Sequence, residues 1–217
     1  GVVSSDVDPS TRDVADPLVG DLVTSLLEAG GHVIVAGTER LAAHSNTVGR
    51  RADDDQAAAA LKAVADRSTA RPGNVRKIDH RATDLPLDSL IGAWGGASVD
   101  EVIRYGEQAT AAQGLTLVDA TSRFEEAATA LATAGASVII HVTADGIPTG
   151  HPVVPVLKIT GDRETASALA TDIDIDARTA DVDDVIRRLA AVAGGDRTAA
   201  ERHGLTKFAI SRIGPSL

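Results

Sequence analysis

Residues Asp16 to Gly37 read "DPLVGDLVTSLLEAGGHVIVAG". Asp16 is the expected N-cap of a helix, and Pro17 suits the first helical position, where its missing N–H removes no bond. Leu18, Leu22, Leu26 and Ala29 recur at helical spacing, and Gly30-Gly31 supply the stop. "HVIVAG" follows as an apolar run, the pattern of a strand covered on both faces. Ahead of the helix, "GVVSSD" (residues 1–6) reads as another short buried strand. Strand, helix and strand make a β-α-β unit with a right-handed connection.

The alternation continues outward. Residues 53–68 predict a second helix with acidic residues at its positive end. Residues 69–96 are loop-rich, and a capping box of Ser98 and Glu101 predicts a helix over "SVDEVIRYGEQATAAQG". "LTLVDA" and "SVIIHVT" read as strands around the helix "RFEEAATALATAGA". "VVPVLKI" reads as a strand that Pro155 assigns to a sheet edge. In "DIDID" (172–176) strict alternation predicts a strand with Ile173 and Ile175 buried and the aspartates outside. "RETASALATD" and "VDDVIRRLAAVAGG" predict helices. The expected fold is α/β, a doubly wound, mostly parallel, Rossmann-like sheet with helices on both faces, in one domain over 1–217 with a helical tail after about 180.

Aromatics are only Trp94, Tyr105, Phe124 and Phe208, so the core must be Val, Ile, Leu and Ala. A net charge of −10 argues against nucleic-acid and anionic membrane partners, and no apolar run approaches a membrane span. Without a signal peptide, a cytoplasmic location is expected. There are no cysteines, which leaves His, Asp, Glu, carbonyls or water to hold any metal. The chain opens on Gly1 and runs straight into valines, which suggests the C-terminal part of a longer protein or of a two-subunit enzyme.

Ligands of such sheets bind at the carboxyl ends of the strands. Polar clusters follow four expected strands: Asp6-Asp8-Thr11, Thr38-Glu39-His44, Asp119-Thr121 and Thr143-Asp145-His151. No Gly-x-Gly-x-x-Gly, phosphate loop or Gly-x-Ser-x-Gly elbow appears. Asp8 or Asp6 could bind metal or substrate, or else form an Asx turn before Pro9. Thr11, Thr121 and Thr143 are candidate substrate hydroxyls, and Asn74 could hold a substrate hydroxyl from its loop. His151, between Gly150 and Pro152, could be a metal ligand or an acid–base group, and His44 a metal ligand. His141 alternates inside a strand and reads as packing. Arg76 and Lys77, with Arg81, are either a solvated basic island or a clamp for a carboxylate.

Several of these segments, in collinear order over about residues 1–178, resemble the large C-terminal region of the altronate/galactarate dehydratase family, which includes the sulfolactate sulfo-lyase large subunit. "DPLVGDLVTSLLEAGGHVIVAGTER" resembles its Asn-Pro-Ala-x-Gly helix and following strand, and "RPGN" the start of its Gly-Asn-Lys-Ala-Gly-Gly loop. "LIGAWGG", "VIRYGEQATAAQGLTLVDA", "TAGASVIIHVTADGIPTGHPVVPVLKI" and "DIDIDA" follow, with Lys158 on the family's Pro-x-x-Pro-x-x-Lys strand. The resemblance implies a lyase that eliminates water, or sulfite, from a sugar acid or other hydroxy acid. It implies a divalent metal, iron(II), manganese or magnesium, that stabilises an enolate-like intermediate. It places Asp119 on a family aspartate, and it implies a small N-terminal-type domain or subunit as partner; a homo-oligomer is also compatible. The departures are concrete: the loop after Asn74 loses its glycines and lysine, "AAHSN" stands for the family's Ala-Glu-His, His151 replaces a cysteine and Asp145 an arginine. They leave open a non-catalytic ligand-binding or partner-binding domain on the same fold.

Overall fold

A computed structural model describes residues 1–70 and 84–211 of the chain. Seven strands form one parallel sheet: β1 (Val2–Ser4), β2 (His32–Val35), β3 (Glu101–Arg104), β4 (Gly114–Asp119), β5 (Ile139–Val142), β6 (Val156–Thr160) and β7 (Ile175–Asp176). Their order is β3-β4-β2-β1-β5-β6-β7. The chain builds outward from β1 on one side and returns to lay β5 against its other side. The switch point of this doubly wound α/β sheet therefore falls between β1 and β5, where such sheets open a crevice at their carboxyl ends.

Among the described residues the α-helices are α1 (Asp16–Glu28), α2 (Asp55–Ala70), α3 (Leu87–Leu90), α4 (Phe124–Ala134), α5 (Arg163–Ala168), α6 (Val182–Ala193) and α7 (Ala199–His203). Two cores result. On one face Val2, Val35, Leu117, Ile140 and Ile159 pack with α1, α2 and α6. On the other, Val3, Val118, Ile139 and Val156 pack with the alanine-rich side of α4 and Phe124. Successive strand residues alternate between these cores, as pleating requires. Helix α1 lies so close to the turn at residues 92–95 that a Cβ at Gly20 would overlap Gly92 O, and one at Gly95, where φ is +67°, would overlap Gly20 O.

Four local expectations are corrected. The segment from Ser98 is strand β3, not a helix: Val102, Ile103 and Tyr105 favour the pleated surface, Gly106 turns at φ +85°, and Glu101 accepts bonds from Thr110 and Thr116 rather than capping a helix. Pro155 does not mark an edge: β6 is buried along its length between β5 and β7, and the proline stops one residue short of it. Asp16 is not a cap, because a π-helical turn over Thr11–Ala15 leads into α1 and buries its side chain. In "DIDID" Ile173 and Ile175 are buried as expected, but the Asp174 side chain is buried too, accepting from Lys158 N, Ala199 N and Arg188. No helix among the described residues is long and apolar enough to cross a membrane.

Candidate active site at the carboxyl edge of the sheet

The switch point is held by one carboxylate. Asp6, just beyond β1, accepts from Ala144 N through Oδ2 (2.9 Å) and from Asp8 N through Oδ1 (3.1 Å). It thus ties the loop after β1 to the loop after β5. Asp8 Oδ1 accepts from Ser10 N and Ser10 Oγ, an Asx turn that starts the π-helical segment. Truncating Asp6 to alanine leaves two partly buried N–H groups without acceptors, so a loss of about 1–3 kcal/mol is expected. Faster amide exchange at Ala144 and Asp8 than elsewhere in the sheet would check it.

Beneath this loop lies Arg40, 8% exposed. Its guanidinium donates to Ser4 O (2.6 Å), to Asp6 O and to Leu90 O (3.3 Å), and stands 3.6 Å from Asp16 Oδ2. Asp16, 1% exposed, accepts from Ser4 Oγ at 2.6 Å. Burial pushes its carboxyl up to about 6, against the opposing pull of Arg40. Arg40 was not a candidate in the sequence, since a lone arginine in a polar loop reads as solvated. With Ser4, Gly37, Leu90 and Trp94 it lines a small cavity beside the ends of β1 and β2.

The ends of β2 and β4 bring a second group of polar side chains. Asp119 accepts from Thr38 Oγ1 (3.4 Å) and from Arg67 of α2 (3.1 Å). Glu39 accepts from Ser122 N (2.6 Å) and Ser122 Oγ through Oε1, while its buried Oε2 meets no donor among the described residues. Thr121 reaches Glu126 at 3.5 Å. Thr11 and Thr143 are fully buried, and neither hydroxyl has a partner among the described residues.

Thus Asp6, Asp8, Thr11, Asp119, Thr121 and Thr143 all stand at or behind the carboxyl edge. His44 is set aside, its Nε2 bonded to Leu85 O at 2.9 Å. His151 does not join them. It precedes the start of β6, and its Nδ1 accepts from Val153 N and Val154 N, both at 3.3 Å. Asn74, Arg76 and Lys77 lie outside the described residues. Among the described residues no three His, Asp or Glu side chains come close enough together to hold a metal ion. Asp6 and Asp8 are turned onto backbone N–H groups, so the described donors do not fit the expected metal centre.

A family model described as D-galactarate/altronate dehydratase, C-terminal, matches residues 91–216, more than half of the chain. The (2R)-sulfolactate sulfo-lyase subunit beta of Chromohalobacter salexigens is 25% identical over 92% of this chain and 57% of its own length. The altronate dehydratases of Bacillus subtilis and Escherichia coli are each 31% identical over 57% of this chain and 26% of theirs. The chain therefore spans little more than half of the first relative and about a quarter of the other two.

Proposed function

Because the chain belongs to the D-galactarate/altronate dehydratase C-terminal family, we propose that it is the lyase-type domain of an enzyme that eliminates water, or an equivalent leaving group, from a hydroxy acid. The observation that carries this reading is the row of carboxylates and hydroxyls along the carboxyl ends of four adjacent strands: Asp119 and Thr121 after β4, Glu39 after β2, Asp6 after β1 and Thr143 after β5. Elimination needs a base for the proton next to a carboxylate and an acid for the departing oxygen. Glu39 suits the base: Ser122 fixes one oxygen, and the other meets no donor among the described residues. Arg67, half exposed and paired with Asp119, offers charge to a substrate carboxylate that a protein of net charge −10 does not attract by its overall field. Asp119 orients that cation and can bind a substrate hydroxyl. A partner domain or subunit is part of the proposal, since one relative bears the name subunit beta and the chain covers only part of each relative.

The test is a panel of galactarate, altronate and (2R)-sulfolactate, with and without iron(II), manganese or magnesium, followed by NMR for the elimination product. Product formed with at least one acid is the expected result, and the metal arms show whether an ion joins through residues not described above. Thermal stabilisation by an acid without any product would instead mark a binding domain that does not catalyse.

A further inference from the structure

Behind the crevice sits a buried cation that this elimination scheme has not yet used. Lys158 of β6 and His141 of β5 are both completely buried and are paired across the sheet. Lys158 Nζ lies 3.0 Å from His141 Nδ1, and the other ring nitrogen, Nε2, meets the hydroxyl of Ser5. The imidazole stacks on Phe124 with centroids 4.2 Å apart, while Nζ stands 4.0 Å above the same phenyl ring. Ser5, only half-buried, is the residue at which this line of contacts reaches the carboxyl edge.

The surroundings determine which way the protons point. Burial works against a charge on Lys158, while the face of Phe124 and the nearby carboxylates of Asp174 and Glu125 favour the ammonium, the form from which the relay starts. An ammonium has only donors, so Nδ1 must accept. A neutral imidazole then carries its hydrogen on Nε2 and donates it to Ser5 Oγ. The serine hydroxyl, accepting from the ring, has its own hydrogen left to give outward. This polarity is opposite to that of a serine nucleophile, whose histidine accepts from the hydroxyl.

We propose that Ser5, His141 and Lys158 form a proton relay that delivers a proton from the buried lysine to the hydroxyl departing from the substrate. The inference rests on the elimination reading above, and names its acid. As the C–O bond breaks, its electron pair stays on the oxygen, which takes the Ser5 hydrogen and leaves as water. Nε2–H restores the serine hydroxyl, and Lys158 protonates Nδ1 and becomes a neutral amine. The α-proton goes to Glu39, and the C–H electron pair becomes the new double bond. Solvent recharges Lys158 through the same three groups in reverse. Burial brings the Lys158 amine down to about 7 and holds the His141 ring well below its usual range, so the lysine can lose its proton and the ring starts neutral. Ser5 is thus a catalytic residue, while His141 and Lys158 act through it.

Two measurements on the full chain test the relay. Histidine 15N NMR should show His141 with its hydrogen on Nε2 at pH 6, where Lys158 carries its charge. An Nδ1-protonated ring or an imidazolium overturns the relay whatever the activity. With an acid that is turned over, Ser5→Ala should slow elimination on the order of 100-fold while exchange of the α-hydrogen in D2O persists, and Ser5→Thr should recover much of the rate. Equal loss of exchange and elimination in Ser5→Ala overturns the acid role. A wild-type chain that neither exchanges nor eliminates overturns the lyase reading, and with it the relay's task, even if the Nε2 hydrogen is found.

Discussion

Arg40→Met should destabilise the fold by about 3–5 kcal/mol, the scale for removing one partner of a buried ion pair. For a chain of this size that corresponds to a fall in melting temperature of about 10 °C. The side chain serves four acceptors at once: the carbonyls of Ser4, Asp6 and Leu90, and the Asp16 carboxylate. Methionine fills much of the volume but donates to none of them. Asp16 would be left with Ser4 as its hydrogen-bond donor in a place that is 1% exposed. The deficit should depend on pH. Asp16 already has a folded-state value of about 6, above its ordinary 3.8, so the folded chain holds this proton more tightly than the unfolded chain. Stability linked to it falls as pH rises from about 4 to 6. Without Arg40 the carboxyl rises further, so the variant should be hurt more at pH 8 than at pH 5, where Asp16 is neutral. Adding Asp16→Asn should recover part of the loss, and a strictly additive double variant would show that the two side chains are not coupled.

The sheet was legible because its signals are local. Runs such as "HVIVAG" and "SVIIHVT" are too apolar and too short for anything but covered strands, and the helix of Leu18, Leu22 and Leu26 shows its buried stripe directly. Strand β3 was misread because a Ser-x-x-Glu pattern is also what remains when Glu101 serves a loop nine residues on. The site was less legible than the fold. Asp6 and Asp119 stand at strand ends, where sequence position alone points to them. Arg40 and Lys158 acquire their meaning from neighbours far along the chain: Ser4 and Leu90 for one, His141 and Phe124 for the other. His151 illustrates the converse. Its glycine and proline neighbours suggested an open loop, yet the turn before β6 uses its ring to accept two backbone N–H groups.

The same long-range contacts make Lys158 the place where stability and activity should part. Its folded-state value of about 7 lies below the ordinary 10.5, so between these limits the unfolded chain holds a proton that the folded chain has released. Stability linked to Lys158 therefore rises with pH from about 7 to 10, and the cost of burying the charge is fully present below 7. That cost is on the order of 5 kcal/mol. Lys158→Met removes it and with it the steep rise. The substitution also leaves His141 Nδ1 without its donor and the Phe124 ring without its cation, a loss of about 1–3 kcal/mol at every pH. The groups facing the lysine are His141 on β5, Glu125 on α4 and Asp174 ahead of β7. Asp174 keeps its bonds to Ala199 N, Arg188 and the backbone of residue 158 in the variant, so those bonds cancel in the comparison, and its attraction to the ammonium is already contained in the value of about 7. The two denaturation profiles should therefore cross: the variant more stable than the wild type at pH 6, and less stable at pH 10. Urea titrations at five or six pH values would trace both curves. Parallel profiles would mean that Lys158 keeps its ordinary proton affinity in the folded chain, and a lysine of that kind would hold its proton too tightly to hand it on at neutral pH.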